Sequence, residues 1–278
     1  MPYRTFELTR SPFSPEIDIH ALFQYDAFTQ CQARLDFVRR ERGFAAITGE
    51  VGSGKTTVLR SDMQRLAPSS FTPLYAAVPH LTNPMVSIAG RLLEEMGEKP
   101  PHLNPARCLQ MLNRTLYATY DKGRLPYVVI DEAHLLDDRN LLLIKTLLNH
   151  DMDSRMPLVL VISGGPDLAR RLAQRNLEEI RQRLLFIYPM HGLSRNEVDP
   201  YLAARLKAAG CDRRLFPPDV VDEIYRHTQG VPRLVNQLAN LSLVAAANAR
   251  RSDIDSTCLL QALKEMGRGD DAGRRAFA

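Results

Sequence analysis

The segment at 49–56, GEVGSGKT, constrains this chain more than any other feature of its sequence. It matches G-x-x-x-x-G-K-[ST], follows an apolar run at 44–47 and precedes a helix predicted at 57–66. Its glycines let the backbone curl, so that N–H groups face phosphate oxygens at a helix N-terminus. The alternative is a chance glycine-rich turn, and the flanking strand and helix argue against it. The segment therefore predicts a phosphate-binding loop in an α/β domain.

Within this loop, the Lys55 ammonium is predicted to reach the β- and γ-phosphates, and the Thr56 hydroxyl to ligate Mg²⁺. ATP and Mg²⁺ are the cofactors expected. The loop residues expected to bind the nucleotide are Gly49, Glu50, Val51, Gly52, Ser53, Gly54, Lys55, Thr56 and Thr57.

Two carboxylates follow the buried strand predicted at 127–130. Asp131 and Glu132 thus lie at the carboxyl end of that strand, the edge where ligands of open α/β sheets bind. Asp131 is predicted to hold the Mg²⁺ water shell, and Glu132 to polarise the attacking water. An exposed loop is the alternative for an isolated Asp-Glu pair. After a phosphate-binding loop, the pair indicates ATP hydrolysis.

The same string continues to His134 as DEAH, which superficially matches a class of helicases. A helicase of that class needs a second motor domain, and 278 residues leave no room for one. We therefore expect His134 to form a local hydrogen bond rather than to act in catalysis.

Further polar residues follow the strand predicted at 158–162. Ser163 is placed to contact the γ-phosphate or the lytic water, although a turn serine before two glycines is an equal alternative.

Five arginines follow Ser163 along the chain: Arg170, Arg171, Arg175, Arg181 and Arg183. A solvated helix face is the simplest interpretation for most of them. ATPases that act between subunits need an arginine delivered to the neighbouring γ-phosphate, and Arg181 and Arg183 are our candidates.

The coarse pattern divides the chain into an α/β core and an all-helical part. Strands are predicted at 44–47, 73–78, 127–130 and 158–162, and the continuous apolar runs indicate a parallel sheet covered on both faces. Helices are predicted at 27–42, 57–66, 84–96 and 105–120, then from Ser194, Pro218, Pro232 and about Asp255. The boundaries are an N-terminal arm at 1–26, a nucleotide-binding core at 27–192, a helical lid at 193–266 and a disordered tail at 267–278.

Composition and charge limit the classes of protein to which this chain can belong. The chain has 36 Lys and Arg against 32 Asp and Glu, and a net charge of +4 permits contact with nucleic acid without arguing for it. Four widely separated cysteines suggest neither a disulfide framework nor a zinc site. No apolar run approaches the length that spans a bilayer, so we expect no membrane partner and a cytoplasmic location.

The loop, the VVIDE strand, Ser163, the arginine-bearing helix and GVPR at 230–233 together resemble the AAA+ ATPases. Within them, FELTRSPF at 6–13, DEAHLL at 131–136 and LLNHD at 147–151 look like the ExeA-related group. That group includes secretion-assembly ATPases and transposase partners similar to TnsC, IstB and MuB. The likeness covers about residues 3–265.

The resemblance implies a parallel-sheet AAA+ core with a helical lid. It makes Lys55 and Thr56 the Walker A residues, Asp131 and Glu132 the Walker B residues, Ser163 sensor 1 and Arg233 sensor 2. Sensor 1 is commonly Asn or Thr in this class. Arg233, which follows a proline suited to a first helical turn, is expected to contact phosphate, with a surface arginine as the alternative.

The resemblance leaves two biological roles open. Secretion-type relatives continue into a transmembrane helix, which this sequence lacks, and this favours the transposition helpers. Those form ATP-dependent rings or helical filaments on duplex DNA and recruit a DDE-type transposase, sometimes with a target-selection protein. An ATP-switched scaffold with little turnover is a third possibility, and Glu132 argues against it.

DNA contacts would be mainly to phosphates. The candidates lie between the Walker motifs, where they would line a central channel: Lys99, Arg107, Arg114 and Lys122. A solvated surface charge is the alternative for each.

Overall fold

In a computed structural model, the apolar runs of the sequence form strands of a five-stranded parallel sheet. The structure describes residues 5–14, 16, 18–80, 83–101, 105–148 and 156–267. The strands are β1 (Phe44–Thr48), β2 (Phe71–Ala77), β3 (Leu125–Asp131), β4 (Val159–Gly164) and β5 (Leu184–Pro189). Their spatial order is β2-β3-β4-β1-β5, and every pair is parallel. The central strands β1 and β4 are buried along their whole length, as continuous apolar runs predict.

The helices are α1 (Asp26–Glu41), α2 (Lys55–Gln64), α3 (Pro84–Glu95), α4 (Pro105–Asp121), α5 (Asp138–Leu148), α6 (Pro166–Leu172), α7 (Glu178–Arg181), α8 (Arg195–Ala208), α9 (Pro218–Thr228), α10 (Pro232–Asn248) and α11 (Ser256–Glu265). Five of them begin at a proline, whose fixed φ and missing N–H suit a first helical turn. Helix α5 and strand β5 are absent from the sequence-based prediction. The arginine-bearing helix, predicted without bounds, corresponds to the short helices α6 and α7.

The chain divides into two compact units. One comprises Met1–Thr29, Gly52–Gly54 and His191–Ala278, and the other comprises Gln30–Val51 and Lys55–Met190. The second unit contains the sheet. Alternate residues of its strands, such as Val128 and Ile130, join a core with α3, α4 and α5.

The first unit contains the helices α8 to α11 and the N-terminal segment. Buried aromatic residues anchor that segment: Phe6 is fully buried, and Phe13 packs edge-to-face on Phe216 at 6.0 Å. Arg205 of α8 donates to the carbonyls of Pro12 and Ser14 at 2.7 and 2.6 Å. Residues 268–278 of the predicted tail at 267–278, and the motif residues 149–151, lie outside the described residues.

Candidate functional site

The loop between β1 and α2 starts at the carboxyl edge of the sheet. The Gly49 N–H donates to the Gly164 carbonyl at 3.2 Å, which ties the start of the loop to the end of β4. Gly52 and Gly54 have φ of 87° and 103°, a region that L side chains rarely adopt. The Lys55 ammonium donates to the carbonyls of Gly49 and Glu50 at 2.8 and 2.9 Å, so the loop closes around its own lysine.

Ser53 in this loop carries an unpaired polar atom. Its side chain is 1% exposed, and its Oγ has no hydrogen-bond partner among the described residues. A buried hydroxyl without a partner is costly, because its hydrogen-bonding capacity is unused. A phosphate oxygen would satisfy it, and backbone N–H groups at the N-terminus of α2 suit the same anion. The loop residues therefore fit a phosphate group.

The Asp131 carboxylate, at the end of β3, is the centre of the polar site. Its Oδ2 accepts the Thr56 hydroxyl at 2.7 Å, and its Oδ1 accepts the Glu132 N–H at 2.9 Å and the Ser163 hydroxyl. The structure thus brings together the two residues predicted to hold the metal, which come from α2 and β3. Hydroxyl and carboxylate oxygens are ligands that Mg²⁺ prefers, so this donor set fits that ion.

Ser163 is fully buried on β4, between β1 and β3. It lies opposite Ile47 in the strand register, and its hydroxyl is directed to Asp131. Its observed contact is therefore with the carboxylate predicted to hold the metal, and its contact with a γ-phosphate stays a prediction.

Tyr75 is a member of this site that sequence reasoning missed. Its hydroxyl donates to Asp131 Oδ2 at 3.2 Å. Burial, followed by the charge and hydrogen bond of Asp131, raises the pKa of Tyr75, so its hydroxyl stays protonated as a donor. The available signal was a tyrosine in the strand predicted at 73–78, which neighbours β3 once the strand order is known.

Glu132 follows Asp131 in a left-handed conformation, with φ of 58°. Its side chain is 47% exposed, and its Oε2 lies 3.3 Å from His134 Nδ1. The Gly165 N–H donates to the same nitrogen at 3.3 Å. His134 thus makes the local contacts that were expected of it.

The predicted arginines occupy different places. Arg181 lies on α7 and pairs with Glu178, while Arg183 follows α7 and is partly buried. Arg233, in the first turn of α10, is exposed, and its N–H donates to the Gly52 carbonyl at 3.2 Å. Whether any of these arginines contacts phosphate stays a prediction.

The four DNA-binding candidates are exposed on or beside α4. Lys99 lies between α3 and α4, Arg107 and Arg114 lie on α4, and Lys122 follows it. Arg114 borders an open surface groove of about 710 Å³, and Asp121 borders it as well. The groove therefore has mixed charge.

The sequence and the fold are similar to those of known proteins. Residues 38–172 match the family described as AAA domain. The chain is 30% identical over 246 residues to General secretion pathway protein A of Aeromonas hydrophila. This alignment covers 87% of the chain and 44% of that protein, so the chain spans less than half the length of this curated relative.

Among solved structures, Cdc6p from Pyrobaculum aerophilum matches with a TM-score of 0.74 and 20% identity, over 92% of this chain and 70% of that one. Drosophila ORC bound to DNA matches with a TM-score of 0.69 and 17% identity, over 97% of this chain and 68% of that one. Aeropyrum pernix ORC1 in complex with DNA matches with a TM-score of 0.69 and 17% identity, over 92% of this chain and 68% of that one. The predicted fold class is confirmed: the α/β fold, with its five-stranded parallel sheet flanked by helices, matches the P-loop AAA+ ATPase fold of these structures.

The finer resemblance to TnsC, IstB and MuB stays a prediction.

In the part of the chain that the structure describes, no helix combines the length and apolar character needed to cross a bilayer.

Proposed function

We propose that this chain binds ATP with Mg²⁺ and hydrolyses it. The observation that carries the proposal is the 2.7 Å hydrogen bond from the Thr56 hydroxyl to the Asp131 carboxylate, next to a glycine-rich loop with a buried lysine. Bound Mg²⁺ would neutralise charge on the phosphates. Lys55 would leave the loop carbonyls for the β- and γ-phosphate oxygens, and Glu132 would accept a proton from the attacking water.

The test is ATP turnover and nucleotide binding in two variants. Lys55→Ala should abolish binding, because it removes the charge that faces the phosphates. Glu132→Gln keeps the shape of the side chain but not its basicity, so binding should persist while turnover falls by about 10²-fold or more. Measured turnover that is undiminished in both variants would contradict the catalytic assignment.

We further propose that ATP controls self-assembly of the chain, as a ring or a helical filament on duplex DNA. The support is the shared fold with two ORC structures that contain DNA and the exposed cations Lys99, Arg107, Arg114 and Lys122. In such an assembly, Arg181 or Arg183 would reach a neighbouring subunit's γ-phosphate, and Arg233 would contact the subunit's own nucleotide. The assembled form would recruit a DDE-type transposase, with or without a target-selection protein.

A second role has its own support. The 30% identity to General secretion pathway protein A favours an ATPase that assembles a secretion complex. Sizing and electron microscopy with duplex DNA, with and without ATP, separate the two roles. Glu132→Gln should trap the DNA-bound assembly. An absence of ATP-dependent assembly on DNA would favour the secretion role or a scaffold with little turnover.

The transposase step has a separate test. A transposase encoded beside the gene for this chain should co-sediment with the ATP-bound assembly and not with the ADP-bound protein. Equal co-sedimentation in both nucleotide states would contradict nucleotide-controlled recruitment.

A further inference from the structure

The Asp131 carboxylate is held by four donors, two on each oxygen. Ser163 and the Glu132 N–H hold Oδ1, while Thr56 and Tyr75 hold Oδ2. Three of these four belong to segments with an expected role at the nucleotide. Tyr75 has no such role, since it lies within β2, at the edge of the sheet.

The sheet register explains how Tyr75 reaches this carboxylate. Tyr75 lies opposite Val129, and Asp131 is two residues further along β3 on the same face. Such diagonal neighbours are about 7–8 Å apart, which an aromatic side chain spans. The residues on either side of Tyr75, Leu74 and Ala76, are buried in the core on the opposite face.

The backbone of Tyr75 is also fixed. Its N–H donates to the Glu95 carboxylate of α3 at 2.9 Å, and β2 is the edge strand of the described sheet. Arg91 holds Glu95 from one turn earlier on α3, at 3.1 Å. An edge N–H would otherwise face solvent. Helix α3 thus secures the strand at the residue whose side chain contacts Asp131.

We infer that Tyr75 is a positioning residue for the metal-binding carboxylate. An Asp carboxylate rotates over a broad, shallow range about its last side-chain bond. Donors on both oxygens fix its plane, and Mg²⁺ needs this because it tolerates little departure from octahedral geometry. Partners that orient a metal ligand contribute to metal affinity without touching the metal. This inference rests on the proposed function.

The test is Tyr75→Phe in the full chain, with Mn²⁺ as the probe ion. Mn²⁺ affinity in the presence of saturating ADP, measured by electron paramagnetic resonance, should fall about 10-fold, the low end for lost outer partners of metal ligands. ADP affinity in EDTA should change less than about twofold, because the hydroxyl acts through its hydrogen bond to the metal-binding carboxylate. Unchanged or tighter Mn²⁺ binding would overturn the inference. Equal losses of Mn²⁺ and metal-free ADP affinity would also overturn it, because they indicate general damage.

Two further variants give the comparison its controls. Tyr120→Phe also loses a phenol hydroxyl, which accepts from Arg42 at 2.8 Å, and should bind Mn²⁺ like the wild type. Ser163→Ala removes a donor from the other oxygen and should also weaken Mn²⁺ binding. Wild-type protein that binds neither ADP nor Mn²⁺ would refute the proposed function itself. Wild-type binding with an unaltered Tyr75→Phe would refute only the role of Tyr75.

Discussion

Gly52 shows how much a single position in the loop depends on having no side chain. Its φ is 87°, and a Cβ added there would lie 2.5 Å from the Cβ of Arg233. The short distance reflects the close approach of the Arg233 backbone, whose N–H donates to the Gly52 carbonyl. Glycine is therefore required twice at this position, for its conformation and for its size.

We predict that Gly52→Ala lowers both stability and nucleotide affinity. The left-handed conformation costs an alanine about 1–2 kcal/mol, and the contact with Arg233 adds to this because a backbone-attached carbon cannot move aside easily. Urea unfolding should show a loss of at least that size. Nucleotide affinity should fall about 10-fold or more, because loop N–H groups would be displaced from the phosphate.

Gly97→Ala is the matched control for this prediction. Gly97 has a φ of 79° and no atom within 4 Å of an added Cβ, so it reports the conformational cost alone. Gly52→Ala should exceed it in destabilisation and should alone affect the nucleotide. Equal stability losses in the two variants would show that the approach of Arg233 is unimportant.

Residue-level chemistry at the site was predictable only where a motif fixes the spacing. Lys55, Thr56 and Asp131 were located because each belongs to a local pattern. Tyr75 was not, because its contact with Asp131 depends on β2 pairing with β3, which no local pattern in either strand encodes. Ser163 was found, but its hydrogen bond to Asp131 depends in the same way on β4 lying next to β3.

At the scale of elements, helix α8 has an N-terminus with a pH-dependent cap. Ser194 and Glu197 form a capping box, and Glu197 Oε1 also accepts the Asp26 N–H at 2.7 Å. Burial opposes ionisation of Glu197, but the N–H groups of Asp26 and Ser194 and the Ser194 hydroxyl outweigh it and lower its pKa. One carboxylate therefore satisfies the starts of two helices, α8 and α1.

We predict that this contribution disappears in acid. Because the pKa of Glu197 is lowered on folding, its stabilisation is present above the ordinary value of 4.5 and is lost as pH falls below it. At about pH 7, Glu197→Gln should cost about 1 kcal/mol, typical of a lost cap. The difference should shrink at about pH 3, as measured by urea unfolding.

Glu94→Gln serves as the control, because Glu94 is an exposed glutamate on α3. It should change stability little at either pH. A Glu197→Gln deficit that is independent of pH would mean that the side chain acts through packing rather than through its charge.

Element boundaries were predictable where the sequence itself ends or starts an element. The helices starting at Pro84, Pro105, Pro218 and Pro232 begin where predicted, since proline restricts the preceding residue and suits the first turn. Strand β5 was missed because it is a partly exposed edge strand without alternation, and no local pattern encodes its pairing with β1. Helix α5 was overlooked although Leu141, Ile144 and Leu148 are buried at helical spacing.

At the scale of the whole molecule, contacts between residues distant in sequence determine where the N-terminal segment packs. In the first unit, the Thr9 N–H and hydroxyl both donate to the Ala209 carbonyl at 2.9 Å, across 200 residues. The sequence predicted an N-terminal arm, but not which helices it packs against. Burial of Arg205 beneath the Pro12 and Ser14 carbonyls likewise has no local signature.

Net charge is a whole-molecule property that bears on DNA binding. A formal charge of +4 is too small to hold DNA by itself, so binding must depend on a localised set of cations. If Lys99, Arg107, Arg114 and Lys122 contact phosphates, each releases counterions from the duplex. The logarithm of the binding constant should then fall linearly with the logarithm of salt concentration.

We predict that replacing these four residues one at a time with glutamine makes the salt dependence weaker. The magnitude of the slope should fall by about 0.9 for each residue that contacts a phosphate. Fluorescence anisotropy with a short duplex and ATP, over a series of salt concentrations, measures it. Arg65→Gln, which removes an exposed cation outside the set, should leave the slope unchanged. Affinity should weaken by a similar factor for duplexes of unrelated sequence, because phosphate contacts carry no sequence information. A residue whose loss leaves the slope intact is a solvated surface charge, and the same result at all four would exclude the face of α4 as the DNA-binding surface.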